Sequence, residues 1–132
     1  MFKSKGQLVY SNLPHFRLAV EIDAEIARYY RSLIPKSVSV SIPAYNPHIS
    51  VVRKEVVPNA SFWQKYQNEI IEFEYDPYIQ FGTVYCWLDV YCLRLEDIRE
   101  ELGMHRLSDI TCPPDKRPCF HTTIGNFKHL FY

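Results

Sequence analysis

Two short segments of this 132-residue chain carry residue types able to perform acid-base chemistry. In NPHISVVR, His48 is followed two places on by Ser50, and in CFHTTIGN, His121 is followed two places on by Thr123. Both segments are apolar and rich in β-branched residues, so they read as strands. Successive side chains of a strand point to opposite faces, which puts each histidine on one face with its hydroxyl. Ile49 and Val51, and likewise Thr122 and Ile124, point to the other face and anchor the strand.

Brought together across a cleft, two imidazoles and two hydroxyls suit phosphodiester chemistry without a metal. An imidazole with an unperturbed pKa of about 6.5 is available in either protonation state near neutrality, so one ring can take a proton from the attacking oxygen while the other protonates the departing one. The hydroxyls can donate hydrogen bonds to the non-bridging phosphate oxygens, and these bonds strengthen as charge builds in the transition state. Which ring is base and which is acid is set by environment and is not legible here. Singly, each histidine is explained as well by a satisfied structural role at a strand end; the paired occurrence favours chemistry. His15, His105 and His129 have no hydroxyl two residues on and read as surface residues.

Other residues near the two segments carry weaker signals. Tyr45 precedes the first and offers an aromatic surface for base stacking, with loop packing as the plainer explanation. Arg53, Lys54, Lys116 and Arg117 flank the two strands and can neutralise phosphate, although such charges are more often simply solvated. Cys119 shares a face with His121 but has no acyl-transfer partners. A metal hydrolase built on His48, His121 and a carboxylate lacks any tight ligand spacing such as HExxH. A non-catalytic nucleotide-binding module, acting as sensor or sponge, is a further alternative.

The elements that must position these groups follow from periodicity. Phe16 to Asp23 reads as a strand, after which Asp23 is an N-cap and Ile26, Ala27, Tyr30, Leu33 and Ile34 recur at helical spacing until Pro35. A short alternating strand within SVSVSIPAYNP precedes the strand beginning at His48. Asn59 is expected to cap a second helix with Phe62, Trp63, Tyr66 and Ile70 on one face. IEFEYD alternates as a half-exposed strand, YIQFGTVYCWLDVYC reads as one or two strands bent at Gly82, and Leu95, Ile98 and Leu102 mark a short helix closed by Gly103. TCPPDKRPC is a proline-rich surface loop leading into His121. Each half thus runs strand, helix, proline-bearing loop and histidine strand, which predicts one domain over 1-132 with dependent lobes at roughly 1-60 and 61-132.

Bulk properties narrow the classes. Hydrophobic residues make up 47%, aromatics 15% and charged residues 23%, an ordinary globular composition. Lys plus Arg and Asp plus Glu balance at 15 each, which disfavours binding to long duplex nucleic acid and fits a compact ligand. No export leader and no membrane-length apolar run is legible, so a soluble, cytoplasmic protein is expected. Cys86, Cys92, Cys112 and Cys119 are too widely spaced for a redox pair or zinc knuckle and read as reduced thiols, with Cys86 and Cys92 on one strand face.

HISV and HTTI together resemble the paired H-x-[ST]-hydrophobic motifs of the 2H phosphoesterase superfamily, which includes LigT-type RNA 2',3'-cyclic phosphodiesterases and compact viral and phage enzymes. Both tetrads match in full, and the order of elements is similar from about Phe16 to Phe127. The resemblance implies an α+β fold of two lobes, with pseudo-twofold antiparallel sheets, flanking helices and a central groove. It implies that His48 and His121 are the catalytic pair and that Ser50 and Thr123 hold the phosphate, with no metal and no cofactor. The implied substrates are cyclic phosphates and 2'-5' or 3'-5' linkages in small or short oligonucleotides. The biological setting would be RNA end processing or, as in compact viral relatives, destruction of immune-signalling cyclic oligonucleotides inside a host cell. Ser50 stands where threonine is common, which keeps the hydroxyl but loosens its rotamer.

Overall fold

The computed structural model describes residues 1-108 and 119-127 of the chain. Cys112, Lys116, Arg117, His129 and most of the proline-rich loop lie outside the described residues. Eight strands and two helices follow in the order β1 (Phe2–Ser11), β2 (Arg17–Ile22), α1 (Ala24–Ser32), β3 (Val40–Ser41), β4 (His48–Arg53), β5 (Ile70–Tyr75), β6 (Gln80–Phe81), β7 (Tyr85–Tyr91), α2 (Leu93–Glu101) and β8 (Phe120–Phe127). The architecture is α+β, as expected.

The local signals explain most of these elements. Asp23 caps α1 through its side chain, which accepts from the Glu25 N–H at 2.9 Å. Gly103 follows α2 at φ 81°, a left-handed value that glycine adopts without steric cost. In β5, Ile71, Phe73 and Tyr75 are buried and Ile70, Glu72 and Glu74 are exposed. The chain bends at residues 82-84 between β6 and β7, where the Gly82 N–H donates to the Tyr85 carbonyl.

Two expectations about single elements are corrected. The second helix does not form: the segment after Asn59 makes one 3-10 turn at Ala60–Phe62, and Gln64 and Asn68 adopt positive φ values of 67° and 68°. Helical pairing is displaced there by tertiary contacts. Trp63 seats its ring edge-on to Tyr10 and Phe16 at 5.0 and 4.8 Å, and the Gln67 side chain accepts from the Tyr10 N–H. The shared face of Cys86 and Cys92 also fails, because β7 ends at Tyr91 and Cys92 is the N-cap of α2. Both are buried free thiols, and burial pushes both upward in pKa.

The strands form one antiparallel sheet, not two. Six of them close into a ring in the order β1-β2-β4-β8-β7-β5, with β5 returning to β1, while β3 and β6 add short pairings to β8 and β7. The polar β1 closes this ring by pairing β2 along one edge and β5 along the other. Gly6 lets it approach, since a Cβ there would sit 2.3 Å from the Glu21 carbonyl oxygen. The first half supplies β1, β2, α1 and β4, and the second supplies β5, β7, α2 and β8. Exchanging the halves maps the ring order onto itself, with seams at β4/β8 and β1/β5.

One hydrophobic cluster fills the core. Leu8, Val20, Ile49, Phe73, Leu88, Phe120 and Ile124 from the sheet meet Tyr30 of α1 and Leu95 and Ile98 of α2. Among the described residues, no helix is long and apolar enough to cross a membrane. Thr122 projects into this core at 1% exposure, and its Oγ1 meets no hydrogen-bond partner among the described residues. Replacing it with the near-isosteric valine removes a buried unsatisfied hydroxyl. Thr122→Val is therefore expected to raise stability by about 1 kcal/mol, read as a higher urea midpoint with unchanged slope.

Candidate functional site

The two motif strands are immediate neighbours. β4 and β8 run antiparallel with Ile49 opposite Thr122, both buried in the core. Extending that register by one residue each way sets His48 beside Thr123 and Ser50 beside His121. All four side chains stand on the face opposite the core, and all four residues are half-buried. Directly opposed residues of an antiparallel pair have Cβ atoms about 5 Å apart. Residues two apart on one strand are separated by about 7 Å. The result is a two-by-two array in which each hydroxyl lies along the strand from one histidine and across from the other. The groups meet side by side in a continuous sheet, not across a gap between two sheets.

Each motif strand is held from behind by an arginine from the last turn of a helix. Arg31 of α1 donates to the Ile124 carbonyl at 2.7 Å, and Arg99 of α2 donates to the Val51 carbonyl at 2.8 Å. Ile124 and Val51 are the fourth residues of their tetrads, so the two latches occupy equivalent places. Each helix grips the motif strand of the other half. Arg99 is 1% exposed and also donates to the His105 carbonyl and both carboxylate oxygens of Glu55.

His48 has a defined tautomer. Its Nδ1 lies 2.8 Å from the Asn46 carbonyl oxygen, which can only accept, so Nδ1 carries the proton and Nε2 of the neutral ring keeps its lone pair. Burial lowers the pKa of His48 below the ordinary imidazole value, outweighing the bond to Asn46, and the positive charges of Arg17 and Arg53 act in the same direction. Glu21, paired opposite His48, acts against them. His48 is therefore a neutral acceptor at pH 7.

His121 has a different setting. β7 borders β8 on its other edge, with Trp87 opposite Thr123 and Asp89 opposite His121. The Tyr85 ring stacks on the imidazole at 6.2 Å and 14°, and Trp87 meets it edge-on at 6.3 Å. Trp87 Nε1 donates to Asp89 Oδ1 at 3.0 Å. None of these β7 residues was singled out from sequence. The available signal was the alternation Tyr85, Trp87, Asp89, Tyr91, which puts a carboxylate between aromatics on one strand face.

Tyr45 lies in the segment just before β4 and is 78% exposed. Arg53 and Lys54 are exposed, and Arg17, paired with Arg53, is a cation the sequence reading missed. His15 and His105 are exposed, as expected. A hollow of about 600 Å³ lies by β5 and α2, lined by Lys3, Glu72, Glu74, Tyr91, Arg94 and Glu96 among others. Its described lining contains none of the four motif groups. No protein-family model, curated protein or solved structure matches the chain.

Proposed function

We propose that the chain is a two-histidine phosphodiesterase, acting without a metal on a cyclic or 2'-5' or 3'-5' linked small nucleotide. The observation that carries this reading is the register of β4 on β8, which gathers two imidazoles and two hydroxyls into one array on an accessible face. The likeness to the 2H phosphoesterase fold is part of the proposal. It is supported by the exchangeable halves of the ring and by the matched arginine latches. Degradation of immune-signalling cyclic oligonucleotides is the setting that best fits a compact enzyme with balanced charge.

His48 is the general base and His121 the general acid. Nε2 of His48 removes the proton from the attacking oxygen, which is a vicinal ribose hydroxyl for an internal linkage and water for a 2',3'-cyclic phosphate. As the new P–O bond forms, His121 gives its proton to the oxygen leaving phosphorus, so charge is conserved and the rings exchange protonation states. Ser50 and Thr123 donate to the non-bridging oxygens. Arg17 and Arg53 add positive potential near the phosphate.

The test is incubation of the purified chain in EDTA with cyclic dinucleotides, cyclic trinucleotides, 2'-5' oligoadenylate and RNA ending in a 2',3'-cyclic phosphate. Cleavage of one substrate class is expected, and return of every substrate intact would refute the proposal. The pH profile gives a second check. Because His48 must be neutral and its pKa is lowered, the acidic limb of kcat/KM should fall below the pH expected for an ordinary imidazole. An acidic limb at or above that ordinary value would remove His48 from the role of base.

A further inference from the structure

Beside His121 lies a buried carboxylate that the reaction outlined above does not use. Asp89 is 5% exposed, and β7 places it directly opposite His121 on the same face of the sheet. Its Oδ1 is fixed by the indole N–H of Trp87 at 3.0 Å, and Trp87 itself packs edge-on against the His121 ring. A carboxylate this deeply buried is costly unless donors or a cation compensate it. One indole N–H satisfies only part of a group that can accept about four hydrogen bonds.

The surrounding charges single out Asp89. By register and ring contact, Asp89, Tyr85 and Tyr91 of β7, His48 of β4 and Cys119 of its own segment share the face of His121. α1 reaches β8 through Arg31, which is engaged with the Ile124 carbonyl. Asp89 is the one member of this set whose charge is opposite to that of an imidazolium.

We propose that Asp89 is a positioning residue for His121, its carboxylate holding the ring as the cation and turning the remaining N–H toward the departing oxygen. This rests on the phosphodiesterase reading and explains how two like side chains on adjacent strands take opposite roles. In each turnover His121 loses its proton to the leaving group and regains one from solvent.

The experiment is an NMR titration of the histidine rings in the wild-type chain, Asp89→Asn and Trp87→Phe, which requires no substrate. In the wild type, His121 should titrate at higher pH than His48. Asp89→Asn keeps the shape and removes the charge, so the His121 midpoint should fall by about one pH unit while His48 barely moves. Trp87→Phe removes the donor but keeps the carboxylate, so the same midpoint should rise. On a cleaved substrate, Asp89→Asn should lower kcat more than it changes KM and bring the alkaline limb to lower pH.

An unchanged His121 midpoint in Asp89→Asn would overturn the proposal. So would an equal fall in both variants, because that would indicate general repacking. If Asp89→Asn fails to fold, a wild-type His121 titrating below His48 would overturn it without any substitution. The expected shifts in a chain that cleaves nothing would refute the phosphodiesterase reading and leave the Asp89 and His121 pairing in place.

Discussion

On the proposed phosphodiesterase reading, alanine at His48 or His121 is expected to lower kcat/KM by about two to four powers of ten and to leave the chain folded. The size of the loss reflects removal of a proton acceptor or donor from the transition state, where it contributes most. Retention of the fold follows from placement, since both rings stand on the face opposite the core and are half-buried. The strands that carry them are held by Ile49, Val51 and Ile124, all fully buried, and by the two arginine latches. The two losses should also differ in pH dependence. Without His48 the acidic limb disappears from the residual rate, whereas without His121 the alkaline limb does. Steady-state rates between pH 4 and 9, with far-UV circular dichroism as the folding control, check both statements.

The largest expected loss of stability comes from Glu55→Ala. Arg99 is almost wholly buried, and its guanidinium is paired with Glu55 at 3.0 Å, with a side-chain exposure of 2% against 14% for Glu55. Deleting the carboxylate leaves a buried cation with, among the described residues, only the Val51 and His105 carbonyls as acceptors. Breaking such a pair from one side costs about 3 to 5 kcal/mol. The effect reaches the site because Arg99 holds the last residue of the first tetrad. Arg99→Met combined with Glu55→Leu should be milder than Glu55→Ala alone, since it removes both charges and refills the volume. Urea denaturation of the three proteins decides this, and a double variant no more stable than Glu55→Ala would contradict it.

The parts of the fold governed by local chemistry were legible in the sequence. The Asp23 cap, the alternation of β5, the glycine after α2 and the start of β4 at His48 all depend on residues within a few positions of one another. The four motif side chains were legible for the same reason, because a strand fixes the faces of residues two apart. What pairing depends on was not legible. β1 is mostly polar and shows its strand character only through the partners on its two edges. Segment 60-70 has helical spacing, yet Trp63 gains more by docking between Tyr10 and Phe16 than a helix would provide. Closure into one ring is a property of β1 meeting β5 and of β4 meeting β8, neither of which is adjacent in sequence.

The proposed division of labour between the histidines belongs to the same class. Alike in their tetrads, the two rings differ in what faces them from other strands. His48 meets the Asn46 carbonyl and two cationic neighbours, whereas His121 lies across from Asp89 and against Tyr85 and Trp87. The run Tyr85 to Tyr91 reads from sequence as a strand, and its place beside His121 emerges only once β7 is set against β8.

The decisive measurement is kcat/KM for the wild type, His48→Ala, His121→Ala and the double variant on one cleaved nucleotide in EDTA. Groups that act together on a single phosphorus are strongly non-additive, because losing either one already disables the concerted proton transfer. The double variant is expected to be within about tenfold of the slower single variant. Losses that multiply, or cleavage that survives removal of both rings, would show that the two imidazoles do not serve one reaction.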